Sequence, residues 1–135
     1  MTRQLLLLDS IAVITSEAAG TVVVSGSHGG VSAAHFVLAQ AAKPYAVFFN
    51  DAGVGKNDAG VAALALLEQV GVIAATYSHQ SACIGDAHDA MENGCISRLN
   101  RLAQLHDLRI ATQVSTAAQQ LRNDRPGPES AQHKR

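Results

Sequence analysis

The sequence predicts an α/β fold: one three-layer sandwich built on a mostly parallel sheet. Three observations carry this. Short β-branched or aromatic runs alternate with alanine-rich stretches whose apolar residues recur at helical spacing. Each run opens into a polar, glycine-bearing loop, SGSHGG, NDAGVGKN or SHQSACIGD. Strands alternating with helices across short loops are the grammar of parallel sheets covered on both faces. At 135 residues the chain is one domain. It is expected to occupy 1–121, with 122–135 as a polar, disordered tail carrying Asn, Asp, Pro, Gly and Ser.

The elements come in order. Residues 5–8 and 11–15 are apolar and β-prone around Asp9-Ser10. With Gly20 as a turn they read as an N-terminal β-hairpin feeding the sheet, a short helix over 5–8 being the alternative. Residues 21–25 form the next strand. Ala33, Ala34, Val37, Leu38 and Ala41 give 31–42 a helical face, stopped by Lys43-Pro44. The run YAVFF at 45–49 reads as a strand covered on both sides. Asp58 is the expected N-cap of a helix over 59–69, which Gly71 closes. Residues 72–77 are a further strand, and 87–92 a short helix ending at Asn93-Gly94. Ile96, Leu99, Leu102 and Ala103 suggest a helix over 96–105. A last strand over 108–114 and a closing helix over 116–121, capped by Ser115, complete the chain.

Composition excludes several function classes. The net charge of −1 lacks the basic face that nucleic acid requires, and 4% aromatic residues leave no stacking platform. No apolar stretch approaches the roughly 20 residues of a membrane span. The opening MTRQ before four leucines looks like the start of an export signal, but Asp9-Ser10 cut the run short. Two cysteines make no disulfide framework, so a reducing, cytoplasmic setting is expected. Charged residues are 16% against the usual quarter or so, while 47% are hydrophobic. Apolar surface in excess of what charge can cover points to a homo-oligomer.

Right-handed crossovers would bring the three loops to one edge of the sheet. Ligands in such folds bind beyond the strands' carboxyl ends, where strand order reverses. In the first loop, Ser25, Ser27, Gly29 and Gly30 precede a helix start, a setting for an anion, and His28 stands between glycines as a catalytic candidate. Its glycines do not match the dinucleotide fingerprint or the serine-hydrolase elbow. In the second, Gly53-Val54-Gly55-Lys56 lacks the spacing and the Ser/Thr of a P-loop, which excludes that class of nucleotide hydrolase. Lys56 there is a point charge for an anionic ligand, Asn50 a ligand contact, and Asp51 the orienter of a histidine or substrate. The third loop contributes His79 as a second acid/base candidate and Ser81, Cys83 and Asp86 as ligand contacts, with Ser78, His88 and Asp89 nearby. A nucleophilic Cys83 competes with its reading as a small buried hydrophobe.

His28, His79 and a carboxylate from Asp51 or Asp86 could also gather at a metal. No H-E-x-x-H or C-x-x-C spacing supports one, so no cofactor is assigned. His35 and His106 fall in helical patterns and His133 in the tail. The expectation is therefore an enzyme doing hydrolase- or lyase-type acid/base chemistry on a small anionic metabolite, with His28, His79 and Asp51 as catalytic residues. The competing expectation is a non-catalytic metabolite-binding or regulatory subunit of a larger enzyme.

Overall fold

A computed structural model describes residues 2–124. It has one five-stranded sheet in the order β1-β2-β3-β4-β5. The strands are β1 (Leu5–Leu8), β2 (Val22–His28), β3 (Ala46–Asn50), β4 (Ile73–Tyr77) and β5 (Ile96–Leu99). The first four run parallel, and β5 lies antiparallel to β4 at the edge. The helices are α1 (Val31–Leu38), α2 (Ala62–Glu68), α3 (Ala87–Asn93), α4 (Arg101–Leu105) and α5 (Val114–Arg122).

Strand residues alternate between the faces, as the pleat requires. Val22, Val24, Phe48, Ile73, Ala75 and Tyr77 pack on one face with Ala90 of α3, Ala103 of α4 and Ala117, Ala118 and Leu121 of α5. Val23, Val47, Phe49 and Ala74 pack on the other with Ala33, Ala34 and Val37 of α1 and Ala63, Leu64 and Leu67 of α2. Two covered faces explain why the central strands read as unbroken apolar runs.

The N-terminal segment does pair with the next strand, but in parallel. A parallel neighbour needs a crossover rather than a hairpin turn. Two 3-10 turns supply it, Ile11–Val13 and Ser16–Ala18, with the side chains of Ser10 and Thr15 accepting from Ala12 N–H and Glu17 N–H. Their Ile11, Ile14 and Ala18 join the α1/α2 face. The three parallel connections thus share one face, as sequential order at constant hand demands. Strand order consequently never reverses. What switches is the face: after β4 the chain crosses to the α3/α4/α5 side.

Other expectations are corrected. Asp58 has φ 60° inside a kinked 3-10 segment, Lys56–Val61, and does not cap α2. Residues 96–105 are β5 and then α4, divided by Asn100 as N-cap. Residues 108–114 turn instead of extending: Ala111 has φ 73°, and the single bridge there is Cys95 to Gln113. Helix α5 starts at Val114 behind Gln113, not behind Ser115. Of the tail expected at 122–135, residues 125–135 lie outside the described residues. Residues 122–124 are packed: Asp124 Oδ2 accepts from Tyr45 Oη at 3.0 Å and sits 2.9 Å from His106 Nδ1. Burial, and then the charge and hydrogen bond of Asp124, push the Tyr45 phenol up to about 12 despite the Arg3 guanidinium over its ring.

Asn100 is the polar centre of the β4–β5 edge. Buried, it accepts from Ala74 N–H and Ala103 N–H and donates to the carbonyls of Leu64 and Val72. Asn100→Ala leaves those four backbone groups short of a partner. A loss of about 3 kcal/mol is expected in urea unfolding, and a loss below about 1 kcal/mol contradicts this role.

Candidate functional site

The four parallel strands end on one rim, with His28 in register with Asn50 and Asn50 with Tyr77. Loop 78–86 leaves β4 and runs back across this rim as a strap. It is tied first beside β5, where Ser78 N–H donates to Cys95 O and Ser81 Oγ accepts from Cys95 N–H. Over β3, Asn50 Nδ2 donates to Ala82 O at 3.1 Å. Over β2, Gly85 N–H donates to Gly26 O at 2.7 Å. Beyond β1, Ala87 N–H at the start of α3 donates to Asp9 Oδ1 at 2.9 Å. The crossing needs a bare backbone at Gly26, where a Cβ would stand 2.6 Å from both Asp86 N and Asp9 O.

Asp51 and His79 meet over β3 and β4. Asp51 is buried, and its Oδ1 accepts from Gly53 N–H at 2.8 Å and His79 N–H at 3.0 Å. The same oxygen lies 3.4 Å from His79 Nδ1, and the His79 side chain is 50% exposed. Burial alone would raise the Asp51 carboxyl. Hydrogen bonds from Ser97, Gly53 N–H, His79 N–H and the His79 side chain outweigh it and hold the group below the ordinary carboxylate range. The loop beneath is coiled tightly: Ala52, Val54, Asn57 and Asp58 all have positive φ. Such backbone is costly for a β-branched residue such as Val54. Gly60 makes the coil possible, since a Cβ there would collide with Asp51 O.

The first loop divides its labour. Ser25 is fully buried, donates to Phe48 O at 2.9 Å and receives the Tyr77 hydroxyl on its carbonyl, so its side chain holds the sheet and is not presented to a ligand. Ser27 Oγ accepts from Ile11 N–H and anchors the first 3-10 turn. Gly29 is wedged among Asn50, Gly60 and Ala63, with its N–H donating to Asn50 O and its carbonyl accepting from Ala63 N–H. Asn50 is buried with both ends of its amide used, Oδ1 accepting from Ala52 N–H. Ser81 is likewise committed, donating to Ser78 O.

His28 is exposed at the end of β2, its ring against Gly30. Gly30 caps α1 with no side chain bonded to that helix's first N–H groups. Lys56 is exposed on the second loop. Cys83 is exposed, and the hydrogen bond to Asp89, then its charge, push the thiol up, opposite to what a nucleophile needs.

His28, at the end of β2, and His79, two residues beyond the end of β4, therefore both lie at the rim. The expected grouping of both with one carboxylate does not form: Asp51 faces His79, and Asp86 belongs to another cluster. Asp9, Asp86 and His88 place one ligand-type atom each within 4.8 Å of one another, all three exposed. Sequence reasoning misses Asp9. Its position at a strand's carboxyl end, next to a serine, is the signal that could have found it. A groove of about 280 Å³ beside β5 and α2, lined by Val61, Leu64, Glu68, Arg98 and Arg101 among others, holds none of the candidate residues.

Fold and rim together define a class: an α/β domain with sequential parallel strands and polar loops gathered at their carboxyl ends. No family model, curated protein or solved structure matches the chain. No helix among the described residues is long and apolar enough to cross a membrane.

The lowered Asp51 carboxyl makes a signed prediction. A group that binds its proton less readily when folded adds stability above its unfolded pKa of about 3.9, and that share is lost as pH falls through the folded value. Asp51→Asn should be less stable than the natural chain at pH 7, with the gap shrinking by pH 3. Denaturant unfolding at both pH values checks this, and a gap that stays constant contradicts it.

Proposed function

We propose that the protein is an enzyme acting by hydrolase- or lyase-type acid/base chemistry on a small anionic metabolite held at the strand carboxyl ends. The Asp51–His79 pair carries this reading. A buried carboxylate that accepts from the backbone N–H of one histidine and lies 3.4 Å from its Nδ1 favours one orientation of the ring. Nε2 is then left as the atom that exchanges a proton with a bound molecule, the usual division of roles in a carboxylate–imidazole pair. Imidazole suits this work because it changes charge near neutral pH. The start of α1 at Gly30 offers N–H groups to an anion, His28 stands beside it, and Lys56 adds positive charge from the neighbouring loop. The same reading takes the protein as a homo-oligomer, on the strength of exposed apolar side chains such as Val13, Val31, Phe36 and Ile84.

The test is a panel of small phosphorylated and carboxylated metabolites, read first by thermal shift and then by turnover. At least one compound should stabilise the protein and be consumed. His79→Ala should then lower kcat by about 100-fold or more, with a much smaller change in KM. His28→Ala should weaken binding. A compound that is bound without being consumed would favour the non-catalytic regulatory subunit, and full turnover by His79→Ala would sink the assignment.

A further inference from the structure

We propose that β1 is the contact between two copies of this chain, paired antiparallel about a two-fold axis with Leu6 facing Leu6 of the partner subunit, so that the two sheets join into one. The inference rests on the homo-oligomer reading above and not on the acid/base reading. The two edges of the sheet are treated differently. The β5 edge is guarded: Ile96 N–H donates to Thr112 O, Ile96 O accepts from Ala111 N–H, and the exposed Arg98 stands within the strand. The β1 edge carries none of the usual guards. Its run LLLL has no charge and no proline, and its register with β2 is unbroken by a bulge. All four leucines are only partly buried.

Backbone accounting shows which groups are open. Val22 N–H donates to Gln4 O, so Gln4, Leu6 and Leu8 turn their backbone groups toward β2. The residues between them point the other way. Arg3 is the first of these, and Arg122 takes both of its groups: Arg3 N–H donates to Arg122 O, and Arg3 O accepts from Arg122 Nε. Leu5 and Leu7 follow. Among the described residues nothing bonds their outward N–H and C=O groups. An edge left in this state is a template for another strand.

A second copy of β1 satisfies that edge with nothing left over. Opposed residues of an antiparallel hydrogen-bonded pair exchange both N–H···O bonds. With Leu6 on the axis, Leu5 exchanges both with the partner's Leu7, and Leu7 with the partner's Leu5. Every open group on both strands is then used. Sliding the pair by two residues sets Leu7 against the partner's Arg3, whose groups Arg122 holds, or Leu5 against the partner's Asp9, which lies past the strand. Charge selects the same partner and the same direction. Arg3 before β1 and Asp9 after it have opposite sign, and neither forms an ion pair among the described residues. The antiparallel register places Arg3 opposite the partner's Asp9 at both ends of the contact, where a parallel partner would set like charge beside like. Between the ends only leucine meets leucine, the self-complementarity that a two-fold contact requires.

Sedimentation of the full chain over a range of concentrations, with two kinds of variant, tests it. The natural chain should form a dimer. Leu5→Pro removes an outward N–H at the first residue of an edge strand, where proline is tolerated, and leaves the ladder to β2 intact. It should weaken the dimer about tenfold or more, and Leu5→Ala, which keeps the N–H, should weaken it less. The second test is a cross-link, made with the free Cys83 and Cys95 both changed to Ser. Facing residues of a non-hydrogen-bonded pair have Cα atoms about 4.5 Å apart, within disulfide reach. Leu6→Cys should therefore give a disulfide-linked dimer on mild oxidation, and Leu8→Cys, distant from its own copy in this register, should not. The cross-link decides if Leu5→Pro fails to fold. A dimer that Leu5→Pro leaves intact and Leu6→Cys does not link overturns the proposal and keeps the homo-oligomer. A monomer at all concentrations overturns both, and slow hydrogen exchange at Leu5 and Leu7 in that monomer would assign the edge to another part of the same chain.

Discussion

The contact on which the rim depends is between two backbones: the strap from β4 lying on Gly26 of β2. The Gly85 N–H bond to Gly26 O brings the strap to within van der Waals limits of the strand, and any side chain at position 26 would hold it off. With the strap seated, Asn50 can bond to Ala82 and Asp9 to Ala87. Each tie satisfies a polar group at a sheet end that would otherwise need water. Each also fixes a residue with chemistry to offer: Asp51 beside Asn50, Asp86 beside Gly85, and Asp9 itself. The strap thus does for this fold what a reversal of strand order does in doubly wound sheets. It brings loops from separate strands into one surface, although the order here is strictly sequential.

Sequential order has a second consequence. With all three parallel connections on the α1/α2 face, the opposite face of β1–β4 is left for the chain beyond β4 to cover. Helices α3 and α5 return across the sheet to do this, and they contribute Ala90, Ala117, Ala118 and Leu121 to that core. The strap is therefore the unavoidable route from the last parallel strand to the uncovered face. Its position over the strand ends is dictated by the topology, and its polar content is available there for function.

The sequence was legible where local preference and burial agree. The runs around Val22–Val24, Val47–Phe49 and Ala74–Tyr77 are β-prone and doubly buried, and α1 to α3 form in the stretches that spacing and glycines marked, although α1 ends at Leu38 rather than at 42 and α2 starts at Ala62 rather than at 59. It was opaque where a distant partner decides. Ile96, Leu99, Leu102 and Ala103 have helical spacing, yet Asn100 breaks the segment because Leu64, Val72 and Ala74 occupy its side chain. Residues 11–15 look extended, but the chain turns at Ile11–Val13 and again at Ser16–Ala18, since a parallel neighbour had to be reached. Among site residues the difficulty was partnership rather than residue type. Ser25, Ser27 and Ser81 have the chemistry of ligand contacts, but Phe48, Ile11 and Cys95 claim them. Asp9 belongs with Asp86 only because the strap carries one to the other, and no local pattern encodes that.

The distribution of committed and uncommitted groups is the strongest argument for chemistry at this rim. A fold that needed only tight turns is served by the first set: Ser25, Ser27, Asn50 and Ser81, with every side-chain bond directed inward. Among the described residues, the groups left facing outward include the imidazoles of His28, His79 and His88, the Lys56 ammonium, the Cys83 thiol, the Asp58 carboxylate and one oxygen each on Asp9 and Asp86. These are titratable or metal-binding groups, drawn from all three loops and from the end of β1. Desolvating a carboxylate is costly unless it is bonded, and Asp51 is bonded by the loop and strap that it anchors. Gly53 N–H and His79 N–H both donate to its Oδ1. The outcome is a buried carboxylate one contact behind an exposed imidazole, the geometry on which the proposed acid/base role draws.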